Sequence, residues 1–151
     1  MSRAELYAWT SFAALAAVFW WFQMRMLDGW TIVDQPAREL FEIYILTIAL
    51  SAALEIIISL VLFGGAAVEK DERDRAIEAR ANLNERIFII FAVNILIWQA
   101  LWEGVLEGHA LPKIDLANLP TLFFFLFAVL FAGEAVKRLS TIWLYRVQTP
   151  A

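Results

Sequence analysis

The chain has no cysteine, a single histidine and few charges, and each shortage removes a class of function. Without cysteine there is no disulfide framework, no thiolate metal centre and no cysteine nucleophile. One histidine is too few for a histidine-built metal or haem centre within one chain. Charged residues are 19% of the 151, against about 25% in ordinary soluble domains. The formal balance of -4 offers no basic surface to nucleic acid. No GxSxG, HExxH, phosphate-binding glycine loop or dinucleotide fingerprint is present, so the chain reads as a non-enzyme.

What is abundant is apolar. Hydrophobic residues make up 62% of the chain, and aromatic residues 15%. A soluble domain of this size leaves roughly a third of its unfolded surface in water, which so apolar a chain could not cover with polar groups. Four apolar runs, at about 6–27, 41–68, 87–106 and 119–140, approach or exceed the ~20 residues that cross ~30 Å of hydrocarbon. Backbone groups in lipid must be satisfied within the segment, so the runs are helices. The fold expected is all-α, an integral membrane four-helix bundle forming one transmembrane domain over 1–151. The first run is longer than the ~7–15 apolar residues of a signal peptide, and the following QMRMLDGW has no small-residue cleavage site.

The connections set the orientation. Arg3, Lys70, Arg73, Arg75, Arg80, Arg86, Lys137, Arg138 and Arg146 fall on one side, and Arg25, Arg38 and Lys113 on the other. The positive-inside bias then puts both termini and the middle loop in the cytoplasm. Tryptophans follow the same plan, with Trp20, Trp21, Trp30, Trp98 and Trp102 at the outer interface and Trp9 and Trp143 at the inner one. In the two short outer loops, Pro36 suits the first turn of the second helix. Asn118 suits the cap of the fourth, with Pro120 just inside it.

Between the second and third runs, residues 69–86 carry interleaved acids and bases without Gly or Pro. The i,i+4 spacing of Glu69–Arg73, Lys70–Asp74 and Asp71–Arg75 suits a solvated helix. It is expected to continue the second span past a bend at Gly64–Gly65 and to turn back near Asn82–Asn84. Its exposed charges Asp71, Glu72, Arg73, Asp74 and Arg75 form either a plain solvated face or a docking surface for a second copy or partner.

KDERDRAIEARAN ahead of a span, together with the tail GEAVKRLSTIWLYR, resembles a group of small uncharacterised bacterial membrane proteins with a KDERD-type loop (DUF2178-like). Asp71, Glu72, Arg73 and Asp74 fit the loop, and Glu134, Lys137, Tyr145 and Arg146 fit the tail. Val147 in place of a second basic residue and the lack of a closing glycine depart from it. The resemblance covers about a fifth of the chain. It implies a four-span protein of the bacterial inner membrane and no catalytic residues.

Shifting the chain by 79 residues lays Leu27–Gly29 on Leu106–Gly108, Glu55 on Glu134, and Ala49, Ala53 and Leu60 on Ala128, Ala132 and Leu139. The shift suggests two parallel helical-hairpin repeats about an axis along the membrane normal. Glu55 lies fourteen residues from Phe41, about 21 Å along a helix, and Glu134 comes out at similar depth. A carboxylate there costs ~2.5–3.5 kcal/mol on insertion scales, so it should pair, face the bundle interior or be protonated. Ser51 and Ser59 lie one turn to either side of Glu55, and Asn94 and Gln99 on the third run and Gln23 on the first are further interhelical hydrogen-bond candidates. Lys137 or Arg138 could snorkel to meet Glu55 or Glu134 and make the acids structural. The other reading is a protonatable transport site.

On the outer face, Glu103, Glu107 and His109 gather near Asp28, Asp34, Glu39, Glu42 and Asp115. These are weak candidates for a cation, and a solvated rim explains them as well. No cofactor is expected. The Phe-rich LFFFLFAVLF lacks small-xxx-small spacing before Ala128, Ala132 and Ala135, and reads as a face for lipid, a quinone, a pigment or a partner's helices. The expected function is interaction in the bilayer, as a self-assembling homo-oligomer or an accessory subunit of a membrane complex, with no nucleic-acid partner. The alternative is a small proton- or cation-coupled transporter using Glu55 and Glu134.

Overall fold

The computed structural model describes residues 3–64, 71–105 and 114–147. They form four helices, α1 (Arg3–Met26), α2 (Ala37–Phe63), α3 (Glu72–Val105) and α4 (Leu119–Val147), with two-residue strands β1 (Leu27–Asp28) and β2 (Thr31–Ile32) between the first two. Three segments are long and apolar enough to cross a membrane: Ala37–Leu62, Glu72–Leu101 and Leu119–Val147. The chain thus has the build of a helical membrane protein. α1 is of similar length, but Tyr7, Trp9, Thr10 and Ser11 in its first half lower its hydropathy.

The element ends follow from local chemistry. β1 and β2 pair antiparallel, Leu27 opposite Ile32 and Asp28 opposite Thr31, about a turn in which Gly29 takes φ 62°. Val33 N–H then reaches Met26 O at 2.9 Å and Gln35 Nε2 reaches Arg25 O at 2.7 Å, so carbonyls at the end of α1 find donors. Pro36, extended at φ -67°, is the residue before α2, one position earlier than the first-turn place expected. At the start of α4, the Asn118 side chain accepts the Thr121 N–H at 3.2 Å, and Pro120 sits in the first turn, as its sequence suggests.

The charged segment belongs to α3, not to an extension of α2. α2 ends where Gly64 adopts a left-handed φ of 62° and returns its N–H to Leu60 and Ser59 carbonyls, a glycine C-cap. α3 opens on a capping box. The Asp71 carboxylate accepts Asp74 N–H at 2.7 Å, and the Asp74 carboxylate lies 3.4 Å from Asp71 N. From there α3 runs unbroken through Asn82–Asn84, where a reversal was expected. Its 34 residues extend about 51 Å, well beyond one hydrocarbon thickness, so the charged first turns clear the apolar layer.

The helices pack in the order α2–α1–α4–α3. α4 lies against both α1 and α3, α1 also against α2, and the α2–α4 contact is slight. A two-fold repeat would give α3 the same contact with α2 that α1 makes with α4, but α2 and α3 share no such face. The 79-residue similarity is therefore not expressed in the packing.

α1 and α4 meet through aromatic rings. Phe22 and Met26 are fully buried, with Val18, Leu40, Ile43 and Phe131 around them. Phe123, Phe124, Phe127 and Phe131 of α4 are thus turned toward α1, Phe131 buried and the other three half-buried. Phe123, Phe124, Phe127 and Phe131 all lie within 6.0 Å of the Phe22 ring, centroid to centroid. α3 reaches α4 at Gly133, where an added Cβ would stand 2.8 Å from Ile89 Cγ1 and 2.9 Å from Cδ1. Gly133→Leu should therefore separate α3 from α4 at a cost of about 1–3 kcal/mol. The check is detergent unfolding with a fluorophore pair across the two helices, and Ala, whose single methyl displaces only part of the Ile89 side chain, should cost less than Leu.

Candidate functional site

Because successive helices alternate in direction, the first half of α1, the last half of α2, the first half of α3 and the last half of α4 share one level. That level holds the acids of α2 and α4. The Glu55 carboxylate accepts Tyr7 Oη at 2.6 Å and Ser11 Oγ at 3.3 Å on one oxygen, and Arg138 at 3.0 Å on the other. Arg138 also places Nε 3.6 Å from Glu134 Oε2, while its guanidinium stands 5.6 Å over the Tyr7 ring. Lys137 lies 3.9 Å from Glu134 Oε1 and 3.5 Å from Glu85, which brings α3 into the group. Next to it, Asn84 Nδ2 donates to Ser140 Oγ at 3.1 Å.

Three carboxylates and two cations thus link all four helices. Arg138 is central because its planar fork serves two acids at once. Glu134 Oε2 is buried and accepts no hydrogen bond among the described residues, held by charge alone. Glu55, Glu134 and Arg138 of this group line a cavity of about 440 Å³, whose other polar lining residues are Ser11, Thr47 and Ser51. The rest of the wall is apolar, from Val18 and Ile48 to Leu130 and Phe131. A site of this volume can hold a small amphipathic molecule.

Of the residues anticipated from the sequence, Glu55, Glu134 and Ser51 come together here. Ser59 lies two turns beyond Ser51 along α2 and lines no part of the cavity. Asn94 is on another face. It is exposed, and its Nδ2 returns to Ile90 O at 2.7 Å on its own helix. α3 meets α4 rather than α2, so Asn94 cannot approach Glu55. Tyr7, which the aromatic pattern places at the inner interface, and Ser11 join them, their i,i+4 spacing putting two hydroxyls on one face of α1.

The charged start of α3 also makes contacts within the chain. Tyr145 donates to Asp74 Oδ1 at 2.5 Å, and Arg73 reaches Tyr145 O at 3.5 Å with its guanidinium 6.0 Å over the ring. Asp71 caps the helix, and of the five charges Asp71, Glu72, Arg73 and Arg75 are exposed while Asp74 is half-buried. Beneath them Ile77, Leu144 and Tyr145 form a second small core. On the opposite end Asp28, Asp34, Glu39, Glu42 and Asp115 are exposed, Arg38 lying 3.6 Å from Glu42. Glu107, His109 and the side chain of Glu103 lie outside the described residues, among which no acid–histidine group could hold a metal.

No known protein family, no curated protein and no solved structure matches this chain.

Proposed function

We propose that the chain is a non-enzymatic integral membrane protein that works by interaction, as a self-assembling unit or an accessory subunit of a larger membrane complex. One observation carries the reading: the two outer helices of the layer, α2 and α3, each have only 6% of their apolar window buried. A four-helix layer with two apolar edges suits contact with further helices as well as with lipid. The polar level supports a structural role for the acids, since Glu55 is hydrogen-bonded by two hydroxyls and neutralised by Arg138.

In the same reading α1 is a fourth span, because it packs between α2 and α4 and shares the level of Glu55 and Arg138. Both termini then face the cytoplasm of a bacterial inner membrane. Arg73, Arg75, Arg80, Arg86, Lys137, Arg138 and Arg146 lie toward one end of the layer and Arg25 and Arg38 toward the other, as the positive-inside bias requires. Kinship with the KDERD-type proteins belongs to this proposal, and its two stretches meet through Asp74 and Tyr145. Native mass spectrometry from membranes tests the reading. An oligomer or co-purifying subunit is expected, and a lone chain overturns it.

The transporter reading is favoured by one observation, the cavity that reaches Glu55 and Glu134. Against it, α2 is an unbroken helix without the mid-span interruption common at transport sites. Glu55→Gln and Glu134→Gln that abolish a proton-dependent flux in liposomes, with assembly intact, would establish it instead.

A further inference from the structure

We infer that α3 carries a self-association seam, centred on Asn94, that pairs with the same helix of a second copy; this rests on the interaction reading above. On the side of α3 away from α4, Leu83, Ile87, Ile90, Asn94, Ile97 and Leu101 are all exposed. Their spacing is 4, 3, 4, 3, 4, the heptad repeat of a helix that pairs along its length. The residues that face α4, among them Ile77, Ala81, Glu85 and Ile89, fall on other positions.

The stripe runs about 27 Å from Leu83 to Leu101. Phe91, Ile95 and Trp98 beside it are exposed as well, as are apolar residues around α2 such as Ile45, Leu46, Ile56, Ile57 and Val61, so exposure is common to both helices. What separates the stripe from a plain lipid-facing surface is Asn94, which places an amide at its middle, whereas α2 carries none. One of its N–H groups is spent on Ile90 O, leaving a carbonyl and a second N–H in an apolar setting.

An amide is both donor and acceptor, so it is complementary to itself. Copies of one chain enter a membrane with one topology, so two α3 helices meet parallel, and the same register faces itself. Asn94 then meets Asn94 across a two-fold axis along the membrane normal. A single polar residue at such a position fixes register and partner number in parallel helix pairs. Hydrogen bonds of this kind also favour helix association in lipid. The capped, charged start of α3 lies on the same side in both copies, clear of the apolar seam.

The chain's lack of cysteine makes the test direct. Single cysteines at Ile87, Ile90 and Ile97 should cross-link to dimers on oxidation in native membranes. Cysteines at Ile95, off the stripe, and Ile57, on α2, should not. In vesicles, Asn94→Ala should weaken dimerisation roughly three- to thirty-fold, and Asn94→Gln should retain more than Ala. Equal yields at all five positions, or dimerisation unaffected by Asn94→Ala, overturn the seam. Native mass spectrometry separates the two readings. An assembly without stripe cross-links ends the seam and leaves interaction standing, whereas a lone chain ends both.

Discussion

Phe22→Ala should destabilise the packing of α1 on α4 by about 3–5 kcal/mol, the largest single effect expected in this chain. The Phe22 side chain is fully buried, and its ring contacts those of Phe123, Phe124, Phe127 and Phe131 at 5.3–6.0 Å. Each such pair contributes ~0.5–1.5 kcal/mol beyond the area it covers. In lipid there is no water to expel from between helices, so close packing supplies most of the association energy. Truncating Phe22 leaves a hole where four rings converge. Equilibrium unfolding in mixed micelles reads the loss directly. Trp20→Ala, on the exposed side of the same helix, should change stability by about 0.5 kcal/mol or less.

Arg138→Met should follow, at about 2 kcal/mol, below the ~3–5 kcal/mol of a fully buried pair because the Glu55 and Glu134 side chains are only half-buried. The residue keeps its stem length but leaves Glu55 and Glu134 without their shared cation. Lys137 cannot take over, since it sits at 3.5 Å from Glu85 and 3.9 Å from the far oxygen of Glu134. A carboxylate uncompensated at that depth either protonates or draws water into the layer. Arg138→Met combined with Glu55→Gln should therefore recover part of the loss, because the amide still accepts from Tyr7 and Ser11 and carries no charge. The same unfolding titration measures it. A double variant no more stable than Arg138→Met alone would mean that Glu55 is not the group Arg138 serves.

Much of the helical layout was legible because apolar runs report their own length. Asn118 was readable as a cap since its spacing to the first turn is local. Charge periodicity in 69–86 suggests a helix that continues α2, but Gly64 and the Asp71–Asp74 box, two short-range signals, end α2 and start α3 instead. Snorkelling predicted that Arg138 could meet Glu55 or Glu134, and it meets both. That Tyr7 and Ser11 would join them was not readable, because which face of α1 meets α2 depends on how the two helices rotate about their axes.

The sequence by itself determined that this chain is helical and suited to lipid, since hydropathy and backbone satisfaction act residue by residue. It also placed carboxylates at depth and a phenylalanine run on α4. Only the tertiary structure decided the neighbours: α4 against both α1 and α3, its rings turned onto Phe22, and Asn94 turned away from Glu55. Helices in an apolar medium are not sorted by burial against water. Their order follows from shape, as at Gly133 and Ile89, and from matched charge, as at Arg138, and both are properties of pairs of surfaces rather than of one segment.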